Sequence, residues 1–147
     1  MIYFEVAGQG YAVEAADLSG VATSCPTVSY PSLPAGIAGI VQWSGRIFPI
    51  VDVFERGAEF QGCTFLFSGE PQSSGACHLP ELALAVPGKV RVFFPETVLP
   101  APAKAPQHIV RYLKDRDGVE ALQLGLEELA KMFLGVAQPG RGEKLAA

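Results

Sequence analysis

The sequence is poor in charged residues, and this shortage excludes several classes of protein. Only 18% of its 147 residues are charged, against roughly a quarter in an average globular protein. A disordered chain needs high charge and low hydrophobicity, whereas 49% of these residues are hydrophobic. A nucleic-acid-binding protein usually carries a basic surplus, but the formal net charge here is -4. The composition instead indicates a compact domain with a sparsely charged surface.

Cysteines and long hydrophobic runs are also scarce. Cys25, Cys63 and Cys77 form no CxxC pair, so we expect reduced, buried thiols and no metal site. A charged residue or a glycine interrupts every hydrophobic run before it reaches the roughly 18 residues of a membrane span. No basic region followed by an apolar stretch opens the chain, so we expect no secretory signal. These absences predict a cytoplasmic protein that does not insert into membranes.

Short apolar runs separated by glycine and proline dominate what is present, and this pattern predicts many short strands. Ser44-Gly45 divides the two clearest runs as a two-residue hairpin turn, and Gly8-Gln9-Gly10 turns an earlier hairpin. Residues 15–25 are interpreted as a strand bent near Gly20, and Pro49 predicts a strand at a sheet edge or a bulge. The predicted strands are 2–7, 11–15, 15–25, 36–43, 46–53, 63–67, 82–86, 89–94, 108–114 and 119–124.

The remaining segments are predicted to connect these strands and to close the chain. Residues 26–34 and 71–75 are interpreted as loops, and the proline-rich segment 95–106 as a semi-extended connection between two lobes. Residues 126–134 show helical periodicity and end at Gly135, before a disordered tail over 136–147. The apolar face of this predicted helix comprises Leu126, Leu129, Met132 and Phe133. The pattern as a whole indicates an all-β barrel or a pair of barrels.

A search for reactive groups predicts no catalytic, metal or cofactor site. Cys77 and His78 are adjacent on the chain, so a strand would point them to opposite faces, and nothing locates His108 beside a thiol. Asp52 follows an apolar strand and is interpreted as fixing the strand-to-loop junction through backbone hydrogen bonds. No partner can be named for the other candidate acid–base groups, which are Glu5, Glu14 and Asp17.

The segment 36–53, GIAGIVQWSGRIFPIVDV, resembles the signature of CheW-like domains, the adaptor modules of bacterial chemosensory arrays. Tyr11-Ala12-Val13 looks like the family's early strand, Pro34 matches the proline before the signature, and 108–129 looks like its closing hairpin and junction into a helix. Within the signature the matching positions are Gly39, Gly45, Pro49 and Asp52, with apolar Ile40, Ile47, Ile50 and Val53.

This resemblance implies a fold and a function. The fold would be two small five-stranded SH3-like barrels that share a core, with a short C-terminal helix, in a single domain over 1–135. The function would be a non-enzymatic adaptor, without cofactors, that links methyl-accepting chemoreceptors to a CheA-type histidine kinase and is largely monomeric by itself. The candidate interaction residues are Leu18, Gly20, Gly39, Ser44, Gly45, Arg46, Pro49 and Asp52.

Two departures from the family pattern bear on the partners. The family usually has arginine just before the signature glycine, where this chain has Ser44, and often an acidic residue at the position of Gly20. Arg46 could supply a displaced guanidinium. The loop after Asp52 is also short. These differences predict a divergent adaptor, for example one that serves a pilus, gliding or other non-flagellar pathway.

Two other functions remain open from the residues themselves. One is a ligand-binding β-barrel with a pocket lined by Trp43, Phe48 and cysteines. The other is a homo-oligomerising structural domain whose apolar face meets its own copy. A filled core would count against the first, and a monomer in solution against the second.

Overall fold

A computed structural model describes residues 1–29, 36–54, 60–69 and 81–133 of the chain. Within these residues lie twelve strands, one 3₁₀ helix at Ala15–Asp17 and one α-helix, α1, at Leu126–Phe133. The strands are β1 Ile2–Val6, β2 Gln9–Val13, β3 Leu18–Thr23, β4 Thr27–Val28, β5 Ile37–Trp43, β6 Arg46–Val51, β7 Cys63–Ser68, β8 Leu82–Pro87, β9 Arg91–Val92, β10 Thr97–Pro100, β11 Ile109–Lys114 and β12 Glu120–Leu124.

The strands form two curled sheets, which confirms the predicted all-β class with a short C-terminal helix. The first sheet has the order β10-β11-β12-β2-β1-β9, and the second has the order β3-β7-β8-β6-β5-β4. Each contains five strands of at least four residues and one strand of two residues, β9 or β4. The expected five-stranded units are therefore present, and each is extended by one short strand.

A shared core joins the two sheets. Phe4 and Val13 from the first sheet pack in one buried cluster with Leu66 and Leu84 from the second. Helix α1 adds Leu129 to the same cluster. Because side chains alternate between the faces of a strand, one face of each sheet is available for this common layer. Burial of this layer from water holds the two sheets together.

The second sheet also encloses an aromatic cluster of its own. On β7, Phe65 and Phe67 point into that cluster, whereas Leu66 between them points into the shared core. The register places Phe65 opposite Ala85 and Phe67 opposite Ala83 on β8. The small alanines leave room for the two rings, and β7 is buried along its whole length.

The first sheet encloses a smaller cluster. Its buried members are Tyr3, Ala12, Phe93, Leu113 and Ala121. Two of the five are alanines, so this interior holds less apolar volume than the aromatic interior of the second sheet. Strand β10, at one edge of the first sheet, is exposed over all four residues.

Several predicted boundaries are wrong at the ends of strands. The first hairpin turns at Ala7-Gly8, which both have positive φ, and β2 already begins at Gln9. The predicted strand over 89–94 is reduced to the two residues of β9. Local sequence patterns do not define such ends because the last ladder bonds depend on the neighbouring strand.

Two segments predicted as connections contain strands instead. The predicted loop 26–34 includes β4, which pairs with β5. The proline-rich segment 95–106 includes β10, which pairs with β11 even though it ends in Pro100. An edge strand needs ladder bonds on only one side, so it tolerates a proline that an interior position would exclude.

Helix α1 confirms the predicted helical segment, with one change of face. Leu126, Leu129 and Ala130 are buried, but Met132 is 45% exposed. Among the described residues, no helix is both long and apolar enough to cross a membrane. Several predictions fall outside the described residues: those for Pro34, the loop after Asp52, the loop 71–75, Cys77, His78, Gly135 and the tail 136–147.

Candidate protein-interaction site

The segment that carries the family resemblance forms the β5–β6 hairpin. Its turn residues Ser44 and Gly45 have φ values of 55° and 76°, as a two-residue type I′ turn requires. Trp43 and Arg46 face each other directly behind the turn. The sequence prediction of this hairpin and its turn is confirmed, and the turn places Ser44 and Gly45 at an exposed tip.

The indole of Trp43 covers Gly20 on β3. The indole also stacks on Phe67, with ring centroids 4.5 Å apart and planes 6° from parallel. A Cβ atom at position 20 would overlap the indole, so this position requires glycine as long as Trp43 keeps its place. Trp43 therefore packs against the aromatic cluster of the second sheet, and the missing acidic side chain at Gly20 has a steric cause.

Arg46 does not offer an unpaired charge at the hairpin tip. Its guanidinium forms an ion pair with Glu81 and lies 5.2 Å from the centroid of the Phe48 ring. The two paired side chains are 30% and 42% exposed, so the pair stabilises the fold by only about 0.2–1 kcal/mol. With Ser44 and Gly20 uncharged and Arg46 paired, the tip presents little net charge.

Gly39 is required by the close approach of a neighbouring strand. It is buried in β5, and a Cβ atom there would lie 2.7 Å from the carbonyl oxygen of Val28 on β4. No side chain fits at that distance from a backbone oxygen. Gly39 thus allows β4 to pair with β5 at the edge of the second sheet.

Pro49 lies in an interior strand, so its predicted place at a sheet edge is wrong. The hairpin does have a register shift, but it falls between Ile37 and Gly39 on β5, one pair away from Pro49. β6 pairs with β5 on one side and with β8 on the other. The pairing with β8 begins at Ile50, one residue after Pro49. Counting from the turn, the Ile40–Pro49 pair is a non-hydrogen-bonded pair of the hairpin. Pro49 therefore needs no backbone donor toward either neighbour.

Leu18 and Asp52 hold backbone positions away from the tip. Leu18 packs half-buried against the shared core at the start of β3, and the register shift between Leu18 and Gly20 confirms the predicted bend. The N–H of Asp52 donates to the Gly36 carbonyl oxygen at 2.8 Å, which ties the backbone just after β6 to the residue before β5. Asp52 lies six residues from Arg46 along the chain, or about 20 Å in an extended strand.

The structure therefore divides the predicted site residues into two groups. Gly20, Ser44, Gly45 and Arg46 lie around Trp43 at the hairpin tip. The other four, Leu18, Gly39, Pro49 and Asp52, shape the strands that carry this tip.

An apolar groove lies beside the hairpin and is not predicted from the sequence as a binding site. It has a volume of about 160 Å³ and runs over the edge of the second sheet, where Val28 is 46% and Ile47 is 60% exposed. Alternation on β6, with Phe48 buried and Ile47 exposed, is the sequence signal that indicates the outward side chain. The groove is lined by Pro26, Val28, Ile40, Val41, Gln42 and Ile47.

The size of this groove favours a protein side chain over a small-molecule ligand. Pockets for drug-sized ligands usually measure about 300–1,000 Å³. The alternative pocket predicted around Trp43 and Phe48 is filled, because Phe48 is fully buried and both rings pack with Phe67. Among the described residues, these aromatic side chains therefore pack the interior of the second sheet and do not line a ligand pocket.

The titratable groups in the described residues form no evident reactive centre. No group of three or more His, Cys, Asp or Glu side chains among them could hold a metal ion. Burial raises the pKa of the Cys25 thiol and lowers the pKa of the His108 imidazole, whose Nδ1 atom is buried without a hydrogen-bond partner. Burial also raises the pKa of Asp17, as do the neighbouring carboxylates of Glu14, Glu127 and Glu128. A neutral thiol is a poor nucleophile, so Cys25 has no activated form here.

Comparison with known proteins identifies the architecture. No protein-family model and no curated protein sequence matches the chain. Among solved structures, the scaffolding protein TtCheW from Thermoanaerobacter tengcongensis matches with a TM-score of 0.65. The match covers 87% of this chain and 89% of that one, at 16% sequence identity. The chain has a CheW-like fold.

The CheW-like fold accounts for the two sheets, the shared core and the closing helix. At 16% identity the likeness is one of architecture, and function depends on the site and not on the fold alone. The chemistry of the hairpin tip and its groove must therefore come from this chain's own residues.

Proposed function

We propose that the protein is a non-enzymatic scaffold of a bacterial chemosensory system that links chemoreceptor tips to a CheA-type histidine kinase. The observation that carries this proposal is the CheW-like fold over 87% of the chain, shared with a protein described as a scaffold. The sequence resemblance of segment 36–53 supports it separately. In this proposal residues 1–135 act as one cytoplasmic domain without a cofactor.

The chemistry of the hairpin tip supports a protein contact that is mainly apolar. The guanidinium of Arg46 is paired with Glu81, and Trp43 covers Gly20, so the hairpin tip offers a partner little free charge. The groove beside the tip offers exposed apolar area from Val28 and Ile47. A partner would insert an apolar side chain there, as anchors do at protein interfaces. A mainly apolar contact of this kind fits the divergent adaptor that the departures at positions 20 and 44 predict.

Calorimetry with the regulatory domain of the CheA-type kinase from the same genome tests the proposal. We expect micromolar binding by the wild-type protein and about tenfold weaker binding by Ile47→Ser, because hot-spot residues contribute more than about 1 kcal/mol. Met132→Ser is the matched control, since Met132 is 45% exposed on helix α1 and does not line the groove. It should bind the kinase domain as the wild type does.

A second titration uses the cytoplasmic tip of a chemoreceptor from that genome. Wild-type binding to both proteins supports a linking function. Absence of binding to the kinase domain at high micromolar concentration contradicts the kinase link, provided that circular dichroism shows a folded protein.

A further inference from the structure

The end of the β5–β6 hairpin extends beyond the strands described on either side of it. On the β4 side, the last described backbone bond runs from the N–H of Gln42 to the carbonyl oxygen of Pro26, at 3.0 Å. On the β8 side, the described pairing begins only at Ile50. We call residues 43–47, which lie beyond both of these points, the overhang. A two-stranded hairpin by itself is only marginally stable in water, so the overhang needs side-chain contacts to keep one position.

Two side chains tie the overhang to the rest of the second sheet. The indole of Trp43 stacks on Phe67 of β7 and covers Gly20 of β3, and these two strands pair with neither β5 nor β6. The guanidinium of Arg46 pairs with Glu81, the residue before β8. A partly exposed ion pair contributes little to stability, whereas a stacked indole buries a large apolar area. Trp43 is therefore the stronger of the two ties.

The overhang also completes the apolar groove. Ile47 is 60% exposed and is the lining residue that belongs to the overhang. The other lining residues belong to β4, to the residue before it, or to the part of β5 that precedes the overhang. Movement of the overhang would therefore carry Ile47 away from the rest of the groove.

Trp43 and Ile47 lie on opposite faces of the hairpin. In the register Trp43 is opposite Arg46 and Gln42 is opposite Ile47, and side chains alternate between the two faces along a strand. The indole accordingly packs against the aromatic cluster inside the second sheet and does not line the groove. Replacement of Trp43 thus removes a tie and leaves every lining side chain of the groove in the protein.

We propose that Trp43 is a positioning residue: its indole, packed on Gly20 and Phe67, holds the overhang so that Ile47 meets an apolar side chain of a partner protein. A contact that is already in its bound position loses less conformational entropy on binding. Gly20 belongs to the same arrangement, because a Cβ atom there would overlap the indole. The identity of the partner rests on the proposed function, whereas the ordering of the overhang by Trp43 does not.

Backbone ¹⁵N order parameters test this ordering in the free protein. At the strand residues 43, 46 and 47 we expect about 0.85 in the wild type and less than about 0.6 in Trp43→Val. Gly20→Ala, which keeps the indole but displaces it, should also lower these values. Trp43→Phe keeps a ring and should restore them. Leu113→Val, in the interior of the first sheet, controls for a general loss of stability and should leave the overhang ordered.

Calorimetry with the kinase regulatory domain tests the consequence for a partner. Trp43→Val should weaken binding about tenfold, as Ile47→Ser does, because Ile47 is then no longer held beside the rest of the groove. Trp43→Phe should bind within about threefold of the wild type, a difference of less than 1 kcal/mol by the affinity relation. Circular dichroism establishes that each variant is folded.

Several outcomes would overturn the proposal. Order parameters of the overhang that stay unchanged in both Trp43→Val and Gly20→Ala would do so, as would an equal fall in Leu113→Val. A larger fall in Glu81→Gln than in Trp43→Val would assign the positioning to the ion pair instead. Undiminished kinase binding by Trp43→Val with a disordered overhang would show that its position does not matter to the partner. If the wild type itself does not bind the kinase domain, the proposed function fails, and the order parameters still decide whether Trp43 orders the overhang.

Discussion

The two sheets of this protein differ in how they use aromatic residues. In the second sheet Phe65 and Phe67 are buried against alanines of β8, and Trp43 closes the cluster from the hairpin. In the first sheet Phe93 is buried, but the next residue, Phe94, is 78% exposed. The second sheet therefore places its rings in the interior, where they contribute to stability. The first sheet keeps a small interior and leaves a ring outside.

The buried and the exposed ring therefore differ in what they contribute to the free energy of folding. A ring in a filled core contributes through dispersion and burial, and its loss leaves a cavity. A ring held at the surface contributes nothing comparable to folding but offers contact area to a partner. Making the same substitution at a buried ring of the second sheet and at the exposed ring of the first sheet tests this difference.

The largest expected effect comes from truncating a phenylalanine in each sheet. Phe67→Ala should lower the free energy of unfolding by about 3–5 kcal/mol, because Phe67 is fully buried and packs with Trp43 and Phe48. Phe94→Ala should change it by less than about 0.5 kcal/mol. Urea denaturation followed by circular dichroism measures both. Similar losses in the two variants would show that the sheets do not differ in this way.

A smaller effect is expected from adding an acidic side chain under Trp43. Gly20→Glu should destabilise the protein by about 1–3 kcal/mol, since the new side chain overlaps the indole. Trp43→Val should make the double variant less destabilised than the sum of the two single changes. The control is Val21→Glu on the same strand, where the side chain is 42% exposed and the effect should stay within about 0.5 kcal/mol.

Additive losses in this double-mutant cycle would contradict the coupling between positions 20 and 43. A coupling energy of at least about 0.5 kcal/mol is expected for residues in contact. Differential scanning calorimetry independently ranks the stabilities of the same variants.

The smallest effect concerns Asp17, in the 3₁₀ helix that connects the two sheets. Burial and the nearby carboxylates raise the pKa of Asp17 above 3.8, so the folded state holds this proton more tightly than the unfolded state. Stability linked to Asp17 is therefore complete below pH 3.8 and falls as the pH rises through the folded-state pKa.

The variant Asp17→Asn removes this dependence. It should be more stable than the wild type at pH 7, by no more than about 0.5 kcal/mol, and equal to it at acidic pH below the unfolded pKa. Asp117→Asn, at an exposed loop position, controls for the general loss of one negative charge. Urea denaturation midpoints at pH 7 and at acidic pH measure this effect. An equal gain in stability for both variants would contradict a specific effect of Asp17.

Local features could be predicted where a few adjacent residues determine the conformation. The hairpin at Ser44-Gly45 and the helix Leu126–Phe133 depend on turn chemistry and periodicity, and both are confirmed. The strand β10 is not predicted, because the four prolines of segment 95–106 indicate an irregular connection, whereas pairing with β11 gives the strand an edge position. Proline is compatible with that position but not with an interior one.

The candidate site could be predicted only in part. The hairpin residues were named in the sequence, but the groove beside them depends on β4, a two-residue strand that no local pattern indicates. The contact between Gly20 and Trp43 joins two strands that are not neighbours in the second sheet. Without that contact, glycine at position 20 could be interpreted only as a missing charge.

The sequence by itself determined the strand-rich class, the main hairpin, the terminal helix and the resemblance to CheW-like domains, because these depend on residues close together in the chain. The tertiary structure decided which strands meet through parallel pairing, as in β6 with β8 and β12 with β2. It also decided that Trp43 covers Gly20 while Phe94 faces solvent. Both residues are large and aromatic, and only the strands packed around each side chain distinguish a core ring from an exposed one.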